Sequence, residues 1–241
     1  MGRSRPAPMH IFISEKRKGN TFYITDEELR HLKVRRISKG ETIGVIWEGK
    51  LYSCVLVDNR KSEALCEIIE EVHVEAPEVH ITLYQSVPLE LKTFELIVQK
   101  STELGVRKVI PVITGRSFRN KEVLYKKKER WKKVSLEAMK QSGRPYKLEI
   151  EDVVDINEIE PVHQVNILLD NFHRGAYISE LELKTVKDIG IVVGPEGGFS
   201  RQEGSLLRDK GFLSVRLKPH VLRAETAAIV SVGIIVNLAG S

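Results

Sequence analysis

At Ala76-Pro77 the hydrophobic pattern of this chain changes its period, and no other feature constrains the fold as much. From Met9 to about Val74, short apolar runs (IFI, TFYI, TIGVIW, LYSCVLV and ALCEII) are separated by turn material such as EGK and DNRKSE, the spacing of a small β-barrel or sandwich. One helix interrupts this part. Thr25 and Glu28 read as a capping box, with Leu29, Leu32 and Arg36 following at helical spacing ahead of a Gly40 turn. After Pro77 strands alternate with helices, which predicts a parallel sheet with crossover helices. Strands are expected at 81–85, 109–113, 166–169, 189–193 and 214–217. Helices are expected at 93–104, stopped by Gly105, at 120–142, stopped by Gly143, and from a Ser200/Glu203 capping box to Gly211. The expected domains are residues 1–75 and 76–241.

With 241 residues, 41% of them hydrophobic, the chain can bury a substantial core. Its longest apolar run, AAIVSVGIIVNLAG, is shorter than the roughly 20 residues that span a bilayer. It is read as a helix buried in the core or at a subunit interface, and no membrane partner is expected. The stretch 1–8, MGRSRPAP, carries no apolar core and is read as a disordered extension. Cys54 and Cys66 are too far apart for a CxxC motif and lack a His pair at metal spacing, which points to a reduced, cytoplasmic protein with no metal site. The formal net charge is +5, and it is concentrated between Arg116 and Lys133. There nine cations face only Glu122 and Glu129, so a surface that follows phosphates competes with an ordinary solvated helix face.

The stretch IVVGPEGGFSRQE runs from an apolar strand through a glycine turn into a helix start, where open α/β sheets place ligands. GPEGGFS is neither a Walker loop nor a GxGxxG fingerprint. Pro195 has no N–H to offer an anion and Glu196 would repel a pyrophosphate. A neutral or cationic ligand fits better, its flat edge read by backbone that Gly197 and Gly198 allow to come close; a tight turn without ligand is the alternative. A second stretch, VRLKPHVLRAETAAIVSVGII, repeats the strand, loop and helix order and carries Arg223, Glu225 and Thr226 ahead of the apolar helix. Arg223 and Glu225 either pair with each other or face a ligand. Two polar-tipped strand ends in succession favour a pocket.

GPEGGFS with its following Glu, then LRAETAA close to the C-terminus, resembles the ribosomal RNA uridine-N3 methyltransferases that act on 16S RNA, within the knotted SPOUT superfamily. IVQKSTELGV, ERWKKVSLEAMKQSGR and HLKVRRISKGE are similar to further segments of that family, so the likeness covers nearly all of the chain after Met9. The resemblance implies an α/β fold with a mostly parallel sheet and a deep trefoil knot, preceded by a PUA-like β-barrel that binds RNA. It implies S-adenosylmethionine as cofactor, held by Leu168, Leu169, Gly194, Pro195, Glu196, Gly197, Gly198, Leu217, Leu222, Thr226 and Ala227. It implies a homodimer packed through the knot helices, acting on 16S rRNA within the small ribosomal subunit. Arg223 would stabilise charge on the uracil, with Glu225 orienting it or accepting a proton through water. RNA contacts are expected from Arg35, Arg36, Arg116, Arg119, Lys126, Lys127, Lys128, Gln141, Ser142 and Arg144. Two alternatives stay open: a knotted methyltransferase for a ribose or transfer RNA target, and a non-catalytic RNA-binding assembly factor.

Overall fold

A computed structural model describes residues 10–170 and 175–239; the expected extension 1–8 lies outside them. The chain divides into two units, Met1–Glu75 with Met139–Lys147, and Ala76–Ala138 with Leu148–Ser241.

The first unit holds β1 (Ile11–Ile13), β2 (Lys16–Lys18), β3 (Thr21–Thr25), α1 (Asp26–Val34), β4 (Thr42–Trp47), β5 (Lys50–Asn59) and β6 (Glu63–Val72). Its sheet runs β1-β4-β5-β6-β3-β2, with β1 parallel to β4 and the other pairs antiparallel. Only two residues separate β1 from β2, so one bent strand joins both edges of the sheet in the manner of a barrel. Ser14 makes the bend: its N–H donates to Ile46 O at 3.0 Å, and its hydroxyl lies 2.8 Å from Tyr23 O. Glu48 and Gly49 link β4 to β5 with φ of +46° and +77°, the paired left-handed backbone that a two-residue hairpin loop needs. Phe22, Ile24, Ile43, Val45, Leu56 and both cysteines fill the interior, and α1 adds Leu29 and Leu32. Burial pushes both thiols up to about 12.

The expected capping box at α1 does not form. Thr25 makes no side-chain capping bond, and Glu28 is engaged elsewhere: it accepts the Ile13 N–H at 3.0 Å and the Lys140 ammonium at 2.7 Å. Nor does the helix reach Arg36, whose φ is +55°.

The second unit contains β7 (His80–Ser86), α2 (Leu91–Glu103), β8 (Lys108–Ile113), α3 (Lys121–Ser142, its last turn counted with the first unit), β9 (Glu149–Ile150), β10 (Val154–Asp155), β11 (Val165–Leu169), β12 (Ala176–Tyr177), β13 (Asp188–Val193), α4 (Arg201–Asp209), β14 (Leu213–Arg216) and α5 (Ala224–Ala239). All pairings are parallel, in the order β10-β8-β7-β13-β11-β14-β12 with β9 beside β8. The central strands are apolar without alternation because both faces are covered. Leu83, Ile167 and Ile191 face a core with α2 and α5, whereas their neighbours Tyr84, Leu168 and Val192 face one with Phe199 and Leu207.

The expected helix signals act as read. Gly105, at φ +83°, ends α2, with Val106 N–H bonded to Ser101 O. Ser200 and Glu203 form the α4 capping box in full. On α5, Ala228, Val232, Ile235 and Ala239 are buried, but Val230 stays 37% exposed and Ile234 and Val236 are only partly covered. This helix therefore has an apolar face left open within the single chain. No described helix is long and apolar enough to cross a membrane.

Candidate functional site

Strands β13, β11 and β14 are neighbours in the sheet, so the two bends singled out in the sequence flank the end of one shared strand. Between them lies a cleft of about 220 Å³. Leu169 and Asp170 form its floor and the 194–198 turn one wall; Leu217, Val221 and Leu222 supply another, and Ala224 and Ala227 bring in the first turn of α5.

The wall made by the glycine turn is shaped by what its residues lack. A Cβ on Gly194 would lie 3.2 Å from the Phe199 ring and 3.4 Å from Gly198 Cα, tighter than nearly all real contacts. Gly198, at φ +64°, closes the turn by donating its N–H to Pro195 O at 2.8 Å. Three further bonds hold the turn from outside, and a fourth holds the start of α4 behind it. Gln85 Nε2 reaches Gly194 O at 3.4 Å, and Leu89 N–H donates to Glu196 Oε2 at 3.3 Å. Arg116 Nη1 donates to Gly197 O at 2.6 Å, and Gly115 N–H donates to Glu203 Oε1 at 2.7 Å. Burial is the largest influence on Glu203 and pushes its pKa up, but the bonds from Gly115 and Ser200, with Arg116 nearby, outweigh it and hold the carboxyl below its usual range.

The charge of the lining says what fits. Among the described residues the lining has two carboxylates, Asp170 and Glu196, and no Lys, Arg or His. Asp170 is 5% exposed, and its Oδ2 accepts a charge-assisted hydrogen bond from Arg208 Nη1 at 2.6 Å. Such a cleft disfavours a phosphate-bearing ligand and suits a flat apolar group attached to a cation. The adenine and sulfonium of S-adenosylmethionine have that character. Leu169, the 194–198 turn, Leu217, Leu222 and Ala227 would hold such a group.

Of the residues expected at this site, Leu169, Gly194, Pro195, Glu196, Gly197, Gly198, Leu217, Leu222 and Ala227 line the cleft. Leu168 does not: it is fully buried on the opposite face of the sheet. Thr226 also lies off the lining. The loop after β11 continues, beyond Asp170, outside the described residues. Arg223 is exposed at the cleft rim, between the lining residues Leu222 and Ala224, and Glu225 is half-buried in the first turn of α5. The two do not pair with each other among the described contacts. Asp170 opens the expected loop after Leu169 and Val221 lies within the expected 217–227 segment, whereas Val193, Phe199 and Val215 fall outside the expected lining.

The basic segment is less bare than its sequence suggests. Lys121 bonds Asp155 at 2.6 Å, Lys128 bonds Asp152 at 2.7 Å, Arg130 bonds Glu95 at 3.2 Å and Lys132 bonds Glu129 at 2.6 Å. Arg119, Lys126, Lys127 and Lys133 make no such pair among the described residues. Arg144, expected at RNA, is instead 5% exposed; its guanidinium donates to Tyr146 O at 2.7 Å and Lys147 O at 3.2 Å and lies 4.2 Å from the Tyr146 ring centre. Arg35, Arg36, Gln141 and Ser142 are exposed.

Residues 75–236 match the RNA methyltransferase domain family and residues 24–75 its RNA methyltransferase PUA domain. A ribosomal RNA small subunit methyltransferase E from Aquifex aeolicus is 47% identical over 229 residues, covering 95% of this chain and 100% of that protein. The protein of the same name from Bacillus subtilis is 30% identical over 226 residues, with 87% of each chain covered. The crystal structure of a ribosomal RNA small subunit methyltransferase E from Neisseria gonorrhoeae bound to S-adenosyl methionine is similar with a TM-score of 0.85 at 27% identity, covering 96% of this chain and 98% of that one. Given those matches along almost its whole length, the chain belongs to the ribosomal RNA small subunit methyltransferase E family.

Proposed function

We propose that this chain uses S-adenosylmethionine to methylate N3 of a uridine in 16S rRNA, in the cytoplasm and on the small ribosomal subunit. The observation that carries the reading is the cleft at three neighbouring strand ends, apolar, edged by carboxylates and, among the described residues, free of basic side chains. When bound, S-adenosylmethionine supplies an electrophilic methyl group on its sulfonium. The chain positions the uracil and disposes of its imide proton, and orientation of this kind lowers a barrier by roughly 7–11 kcal/mol at best. Arg223 is placed to stabilise negative charge on the uracil O2 or O4. Glu225, half-buried two residues later in the first turn of α5, orients it or takes the N3 proton through water. Glu196 accepts the Leu89 N–H and so serves the turn.

RNA is read mainly as a polyanion, by Arg119, Lys126 and Lys127 in one unit and by Arg35, Arg36, Gln141 and Ser142 in the other. In this reading residues 1–75 form the RNA-binding PUA-like barrel and 76–241 the catalytic domain. The sheet order β13-β11-β14, against the chain order β11, β13, β14, supports a knotted return of the last strand. The open apolar face of α5 supports a homodimer through that helix.

The test is to incubate the protein and methyl-labelled cofactor with unmodified small ribosomal subunits, then identify the product by nucleoside mass spectrometry. Label in 3-methyluridine is expected. Label on a ribose or in transfer RNA selects the related knotted enzymes, and no heat on titration with cofactor selects the non-catalytic assembly factor. Arg223→Ala is expected to abolish transfer and leave cofactor binding intact.

A further inference from the structure

We infer that Arg116 is a positioning residue for the cofactor cleft rather than an RNA contact. The inference rests on reading that cleft as the S-adenosylmethionine site. Pro195 O closes its own turn by accepting the Gly198 N–H, whereas the carbonyl of Gly197 is taken from outside by Arg116 Nη1 at 2.6 Å. The side chain also packs along the turn, since a Cβ on Gly197 would meet Arg116 Cδ at 3.2 Å and Cβ at 3.5 Å. Gly197 is thus small where the arginine stem crosses it.

The loop that presents Arg116 is rigid. Ser117 is 5% exposed, its hydroxyl accepts the Thr114 N–H at 2.8 Å, and the same oxygen lies 3.1 Å from Thr114 O. One residue before Arg116, the Gly115 N–H is fastened to Glu203, which itself caps α4 through Ser200. Gly115 and Arg116 therefore hold the start of α4 and the crest of the glycine turn from one short loop. Removing one strap leaves the other in place, so the fold should survive while the turn loosens. A side chain whose guanidinium holds a backbone carbonyl and whose stem covers a glycine has its geometry set by the cleft. Arg119, three residues on, carries no such restraint and keeps the role of phosphate contact.

The test compares wild type with Arg116→Ala, Arg116→Met, which keeps most of the stem without the donor, and Arg116→Lys, which restores a cationic donor. Each is titrated calorimetrically with S-adenosylmethionine, titrated separately with a 16S rRNA fragment over a range of salt, and followed by amide hydrogen exchange across 194–199 without ligand. Expected are roughly tenfold weaker cofactor binding for the Ala and Met variants, the size of one charge-assisted hydrogen bond at a partly exposed site, with partial recovery for Lys. Turn amides should exchange faster, while the melting temperature and the RNA salt slope stay at wild-type values. Unchanged cofactor affinity with weaker RNA binding overturns the inference and returns Arg116 to the RNA surface. Unchanged values for both overturn it as well. Should the Ala variant unfold, the Met and Lys pair decides, because equal affinity in those two excludes a role for the donor. Wild type that takes up no cofactor overturns the reading of the cleft itself, a result distinct from variants that bind as wild type does.

Discussion

Gly190→Ala should destabilise the second unit through a single neighbour, His163. An added Cβ would sit 2.3 Å from His163 Cδ2 and 3.1 Å from both Cγ and Nε2. The ring has little freedom to retreat, because both nitrogens are engaged: Nε2 with the Tyr84 hydroxyl at 3.0 Å and Nδ1 with Asp188 Oδ2 at 2.9 Å. Overpacking costs about 1–3 kcal/mol. Breaking both bonds adds about 0.5–1.5 kcal/mol each, with more for Tyr84, which is 7% exposed and loses its partner. The total is about 2–6 kcal/mol, or roughly 4–24 °C in melting temperature for a chain of this size. Urea denaturation followed by Trp131 fluorescence in a Trp47→Phe background reads the second unit alone. The decisive control is His163→Ala, which removes the obstacle: in that background Gly190→Ala should cost less than about 1 kcal/mol. A penalty of the same size with and without the imidazole would refute the argument, as would a Gly190→Ala protein of wild-type stability.

Three more outcomes are expected. Lys126→Ala with Lys127→Ala should weaken RNA binding and reduce the slope of log affinity against log salt by about two, whereas Lys128→Ala, whose ammonium is held by Asp152, should change that slope less. Glu203→Gln should abolish a pH dependence. The folded carboxyl lies below its usual range, so its contribution to stability is complete above the unfolded pKa of about 4.3 and is lost as pH falls through the lowered folded value. Acid denaturation of wild type and variant below about pH 4 measures the difference, and parallel curves would count against the assigned bonds. Cys54 and Cys66, fully buried with pKa values pushed up to about 12, should resist a thiol reagent at pH 8 until denaturant is added; rapid native labelling would contradict the closed barrel interior.

Most elements were legible because their signals are local. The α2 stripe of Phe94, Ile97, Val98 and Ser101 and its stop at Gly105 lie within one stretch of chain, as does the Ser200/Glu203 cap. Where a distant partner competes, the local signal loses. Glu28 has the spacing of a capping residue, yet Ile13 and Lys140 claim it, from 15 and 112 residues away. Arg144 looks like a surface cation until the backbone folds its carbonyls around the guanidinium. Leu168 and Leu169 cannot be told apart by composition. One step along a strand turns the side chain to the opposite face, and only the sheet's setting decides which face carries the ligand.

The sequence by itself determined the change of period at Pro77, the strands that a parallel sheet would bury, and the glycine turn whose Pro195 and Glu196 are hostile to phosphate. Each depends on a residue and its near neighbours. Tertiary structure alone decided that β13 and β14 both stand beside β11, which brings two bends more than twenty residues apart to one cleft. It also decided which cations of the basic helix are neutralised, since Asp152, Asp155 and Glu95 arrive from 24 to 35 residues away. Charge pairing and strand adjacency act through space, and chain separation sets neither.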